Sequence, residues 1–139
     1  MSFGSNSKTV NLSGVSTSVE PTNLDDGQYQ LRAVKADFID DSHKPKEKRY
    51  PRIQVIFESI EHSTAKDIFH AFFLPSENDT EKQANSKLYN IKEFLEVFEG
   101  DIMDEIDLSS WVGLTGYAHV VQEESDRGIQ NKIKSFLAA

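Results

Sequence analysis

Apolar and polar residues alternate from Gln28 to Phe38, yet the phase slips by one, from Tyr29, Leu31 and Ala33 to Val34, Ala36 and Phe38. Successive side chains of a strand point to opposite faces, so the slip predicts a bulge or a sharp coil. A second run, Arg52 to Ile60, sets Ile53, Val55 and Phe57 against Arg52, Gln54 and Glu58. That alternation predicts a half-buried strand. Lys66 to Leu74 predicts a third, apolar on both sides, with Ile68, His70, Phe72 and Leu74 on one and Phe69, Ala71 and Phe73 on the other. Alternation alone leaves open which side faces outward. The period then changes. A Thr80…Gln83 capping box precedes Ala84, Leu88, Ile91, Leu95 and Phe98, which recur at steps of four and three and stop at Gly100; this is one apolar stripe of a helix.

Residues 101–112 predict a short turn or second helix, with Ile102, Ile106, Leu108 and Trp111 as core contacts. Thr115 to Glu123 and Ile129 to Leu137 predict two closing strands, joined at Glu124-Ser125-Asp126-Arg127-Gly128 with glycine in the left-handed position. Upstream, residues 1–26 are rich in Ser, Thr and Asn, with Val10, Leu12, Val15 and Val19 scattered among them. So few apolar side chains predict a flexible arm, leaving residues 27–139 as one domain. Three strands, a helix and two strands is the element order of a mainly β, five-stranded OB-fold, a Greek-key barrel. Such barrels bind oligonucleotides or oligosaccharides on strands 2 and 3 and with the loops joining strands 1 to 2 and 4 to 5.

Composition narrows the chemistry. The 139 residues include no cysteine, which excludes disulfides and thiolate metal or nucleophile chemistry. No apolar run approaches the ~18 residues of a membrane span, and the opening MSFGSNSKTV lacks a signal-peptide pattern; a soluble, cytoplasmic protein without membrane partners is expected. The net charge of −8 is concentrated in residues 77–111, which hold ten Asp or Glu against three Lys or Arg. With that segment set aside, an anionic ligand is compatible with the remainder.

The stretch HKPKEKRYPR, residues 43–52, gathers five cations around one glutamate. It falls between strands 1 and 2, where Pro45 and Pro51 discourage regular pairing. A charge run is commonly a solvated loop. At this point of an OB topology, Lys44, Lys46, Lys48 and Arg49 at the tip, with Arg52 entering strand 2, become candidates for gripping a phosphate backbone. Stacking surfaces for bases are the second requirement, and Tyr50, Phe69, Phe72, Phe73 and Tyr117 are the candidates. Lys132 and Lys134, expected on one face of the last strand with Phe136, are candidate backbone contacts. Arg127 ranks behind them because Glu123, Glu124 and Asp126 share its loop.

His43, His62, His70 and His119 are scattered without metal-ligand spacing, and no G-x-S-x-G, P-loop or dinucleotide turn occurs. A non-enzymatic protein without metal or cofactor is expected. A nuclease would need clustered carboxylates on strands. A competing expectation is a protein-interaction or assembly module that uses the acidic 77–107 segment against a basic partner.

Five segments, GQYQLRAVKADF, RIQVIFESI, FLEVFEG, WVGLTGYAHVVQ and NKIKSFL, give Gly27 to Leu137 an order and spacing that resembles bacteriophage single-stranded DNA-binding proteins of the OB-fold type. The resemblance implies coating of exposed single strands during phage DNA replication or recombination, in the host cytoplasm, with no chemistry performed. Many such proteins end in an acidic tail that recruits replication proteins. This chain ends at SFLAA, so recruitment of replication or recombination proteins is expected at residues 77–107, and self-association is compatible with the family. A binder of this kind makes two geometric demands: the basic loop and the aromatic strands flank one trough, and the sheet closes into a five-stranded cylinder.

Overall fold

β1 (Gly27–Ile39) organises the sheet because it serves two partners. In the computed structural model, which describes residues 21–102 and 105–137, Gly27 to Arg32 pair antiparallel with β4 (Thr115–Ser125), and Leu31 to Ile39 with β2 (Arg52–Ser59). The slipped alternation is a bulge at Val34, the register shifting between Ala33 and Lys35. Ala33 and Ala36 therefore both meet the core. β3 (Ile68–Phe73) extends the sheet from β2 and β5 (Gly128–Leu137) from β4, giving the order β3-β2-β1-β4-β5 with every pairing antiparallel.

The second demand is met only in part. The protein is mainly β, with five antiparallel strands in one sheet and α1 (Glu81–Val97) between β3 and β4, but the sheet is not closed: its hydrogen-bonded ladder ends at β3 and β5. Other contacts bridge those edges. Phe136 of β5 stacks on Phe72 of β3 at 5.8 Å and meets the His70 ring edge-on at 5.4 Å, and α1 packs on both strands. A second bridge is made by residues 22–24. Thr22 accepts from the Lys66 amide at 2.8 Å and donates to the Thr64 carbonyl at 3.0 Å, tying it to the β2–β3 connection. Leu24 is buried and clasped by Asn131 of β5, whose side chain accepts from its amide at 2.7 Å and donates to its carbonyl at 2.9 Å. Residues 21–26 thus run against the sheet instead of belonging to a free arm, because amide side chains supply what the apolar count lacks. Residues 1–20 of the expected arm lie outside the described residues.

The capping box predicted at the helix start is present, with Thr80 Oγ1 accepting from the Gln83 amide and Gln83 Oε1 from the Thr80 amide. The buried stripe is rotated from the predicted one. Ile91, Phe94, Leu95 and Phe98 enter the core, whereas Leu88 is exposed. Of the residues expected from 101–112, Trp111 is buried and Leu108 packs against the core, but Ile102 and Ile106 are exposed. Phe57, Phe72, Phe94, Phe98, Trp111 and Phe136 form one aromatic cluster between sheet and helix. No helix among the described residues is long and apolar enough to cross a membrane.

Gly116 of β4 lies against the ring of Phe98, the residue that caps the C-terminus of α1. A Cβ there would fall inside the contact radius of Phe98 Cδ1 and lie 2.7 and 2.8 Å from Cε1 and Cγ of the same ring. Phe98 is buried, and overpacking a fixed core ring costs about 1–3 kcal/mol. Gly116→Ala is expected to lower the unfolding free energy by that amount, read as a lower urea midpoint at unchanged m; an unaltered midpoint would show the Phe98 ring to be loosely seated.

Candidate nucleic-acid interface

Register decides which side of β3 faces solvent. Ile53, Val55 and Phe57 of β2 are buried, so Arg52, Gln54 and Ile56 point outward, and their partners across the ladder are Phe73, Ala71 and Phe69. The open question about the two faces of this strand is thereby answered: Phe69 and Phe73 stand outside at 50 % and 46 % exposure. Phe72, expected among the stacking residues, is instead 2 % exposed in the aromatic cluster and does not reach the surface. On the third strand of this face, Lys35, Asp37 and Ile39 of β1 lie opposite Ile56, Gln54 and Arg52. The outer surface is thus three rows deep: Phe69–Ile56–Lys35, Ala71–Gln54–Asp37 and Phe73–Arg52–Ile39.

Beside Phe69 this surface runs into a groove of about 590 Å³. Lys66, Arg127 and Lys132 line it together with Asn23, Gln54 and Asn131, and Asp67 contributes one carboxylate. No salt bridge to another described residue engages those three cations. The long β4–β5 hairpin brings Arg127 here: Ser125 pairs with Gly128, whose φ of 97° closes the turn.

The basic loop is placed as expected between β1 and β2, but most of its charge is already engaged. Asp41, 3 % exposed and left-handed at φ 56°, accepts from the Tyr50 amide at 3.1 Å and from Arg52 Nη1 at 2.8 Å, with Lys44 Nζ 3.6 Å away. The Tyr50 amide, followed by the Arg52 guanidinium, holds the Asp41 carboxyl below the usual carboxylate range against the opposing effect of desolvation. Lys46 pairs with Glu77 at 2.8 Å, and Arg49 donates to the carbonyls of Lys44 and Ser42. Lys48 makes no salt bridge to a described residue. Tyr50 is exposed, and with Lys46 and Arg49 it lines a separate hollow of about 470 Å³ that Asp40, Glu47, Glu77 and Asp79 also border. The loop meets the aromatic surface only where Arg52 lies opposite Phe73. The first geometric demand is not met: Lys46, Arg49 and Tyr50 line one hollow and Phe69 another, so the basic loop and the aromatic strands do not flank one trough.

Two further candidates lie elsewhere. Tyr117 projects from β4 between Gln30 and Leu137, with β1 separating it from β2. On β5 a register shift opposite His119/Val120 makes Lys134 an extra residue, so Ile133 and Phe136 both turn toward the core. The expected shared face of Lys132, Lys134 and Phe136 does not form. Lys132 enters the groove, while Lys134 borders a small hollow with His70, Asn90 and Glu93.

Lys66, Gln54 and Asn23 were missed from sequence. Lys66 carried a usable signal, a single cation at the mouth of a strand with alternate phenylalanines. Asn23 carried none, since its segment looked like an arm. No protein-family model matches the chain, and comparison with curated protein sequences returns no match.

Proposed function

We propose that the protein binds single-stranded DNA with little sequence preference, as a non-enzymatic OB-type module. Bases stack on Phe69 and Phe73, and phosphates are held by Lys66, Arg127 and Lys132. The observation that carries this reading is the pairing of two half-exposed phenylalanines on one strand with a groove whose three cations lack carboxylate partners among the described residues. Every base has a ring face, so such a platform is sequence-tolerant. Hydrogen-bonded closure of the sheet is not required: the stacking residues stand on β3, and side-chain contact between β3 and β5 is enough to bring Arg127 and Lys132 beside them. The biological setting we propose, protection of single strands in replication or recombination of a phage genome in the host cytoplasm, rests on the resemblance of the five sequence segments.

Salt titration of binding to poly-dT tests the reading. Each phosphate contact on a single strand contributes about 0.7 to the slope of log affinity against log salt. Replacing Lys66, Arg127 and Lys132 with alanine is expected to reduce that slope by about 2. Replacing Lys44 and Lys46 is expected to change it little, because phosphates there must displace Asp41 and Glu77. Absence of any anisotropy change with a labelled single strand at low salt and micromolar protein rejects the function. A larger slope loss from the loop variant would return the phosphate grip to that loop.

A second reading has its own observation. Leu88, Tyr89, Ile102 and Ile106 are exposed along the acidic 77–107 segment, a combination suited to a basic, partly apolar protein partner such as a replication or recombination factor. Charge reversal in this segment that abolishes partner capture while sparing DNA binding would separate the two roles.

A further inference from the structure

We propose that the middle row of the outer face, Ala71–Gln54–Asp37, is a base-reading position that favours nucleobases bearing an exocyclic amino group, with Asp37 as the specificity-determining residue. The inference rests on the nucleic-acid reading above and adds a preference to it.

Phe69 and Phe73 are four residues apart on one strand, about 13 Å at the usual rise of a strand. Only the methyl of Ala71 stands between them on that face, leaving room for one base flanked by two stacked ones. The floor beneath this base is polar. Gln54 lies directly opposite Ala71, and Asp37 directly opposite Gln54, so their side chains rise side by side.

A glutamine amide offers one acceptor and two donors and can pair with any base edge. Its presence alone is tolerant. A carboxylate accepts only. Beside Gln54 it complements the second amino hydrogen of cytosine or adenine and repels the carbonyl oxygens of thymine, whose edge carries acceptors on either side of its single N–H. The negative charge also discourages the phosphate backbone from crossing this row, which directs base edges and not phosphates toward it. Lys35 Nζ, 3.5 Å from Asp37 Oδ2, holds the carboxylate on this face while leaving its other oxygen available.

Competition between poly-dC and poly-dT, at pH 8 where cytosine is unprotonated, compares bases of equal ring size that differ at this edge. Wild type is expected to bind poly-dC about fivefold more tightly, the net equivalent of one ordinary hydrogen bond, since solvent exposure screens the carboxylate's charge. Asp37→Asn preserves size and is expected to bring the ratio to about one, chiefly by improving binding of poly-dT. Gln54→Ala is expected to weaken both polymers. Equal wild-type affinities, or a preference that survives in Asp37→Asn, would overturn the base-reading role while leaving DNA binding intact. Failure to bind either polymer would overturn the proposed function itself, and the base-reading role with it.

Discussion

Replacing Phe69 and Phe73 together with alanine is expected to weaken binding to poly-dT about a hundredfold or more while the protein stays folded. Loss of stacking costs about 1–3 kcal/mol per base, and two bases lose their platforms. Both rings are about half exposed on the outer face, so their removal takes little from the core, and the thermal midpoint is expected to move by no more than a surface substitution moves it. Phe72, between them in sequence, provides the control. It lies in the aromatic cluster against Phe94, Trp111 and Phe136, and Phe72→Ala is expected to cost about 3–5 kcal/mol of stability. Fluorescence anisotropy at low salt, paired with thermal melts, reads both quantities. Unchanged affinity in a folded double variant would remove the stacking platform and with it the main support for a nucleic-acid binder.

The contrast between neighbouring phenylalanines explains how much was legible in the chain. Alternation placed β1, β2 and β3, and even the bulge in β1, because strand periodicity is local and Val34 breaks it visibly. The capping box located the start of α1 for the same reason. The inside and outside of β3 were not legible, since both faces are apolar and only the ladder to β2 distinguishes them. The second bulge, on β5, was hidden because Lys132, Lys134 and Phe136 keep a regular alternation that pairing with β4 then overrides. Charge was the most misleading signal. The basic loop stands out in composition, yet Asp41 and Glu77 engage three of its cations across the fold. Lys66, Arg127 and Lys132, far apart in the chain and unremarkable singly, converge because β3 and β5 form the two edges of a sheet curled until their side chains touch.

That meeting of edges has an acid-sensitive consequence. His70 sits between β3 and β5, its ring against Phe72 at 4.6 Å and Phe136 at 5.4 Å. Burial, and then the nearby Lys132 ammonium, push its imidazole down from the ordinary 6.5 to about 4. Between those values the unfolded chain holds a proton that the folded protein excludes, so stability is complete above pH 6.5 and declines as pH falls toward 4. The full difference is about 3 kcal/mol. Urea unfolding at pH 7.5 and 5 is expected to show the larger part of that loss. His70→Leu, which keeps an apolar contact with Phe136 and cannot bind a proton, is expected to flatten the dependence across this window. Steeper carboxylate-linked losses belong below it, since Asp40, Asp41, Glu77 and Asp79 are all held below their ordinary values near 4. If the leucine variant loses stability between pH 7.5 and 5 as steeply as wild type, the seam is wet enough to accept the charge, and the edges of the sheet are held by α1 and the Leu24 clasp without help from a dry aromatic contact.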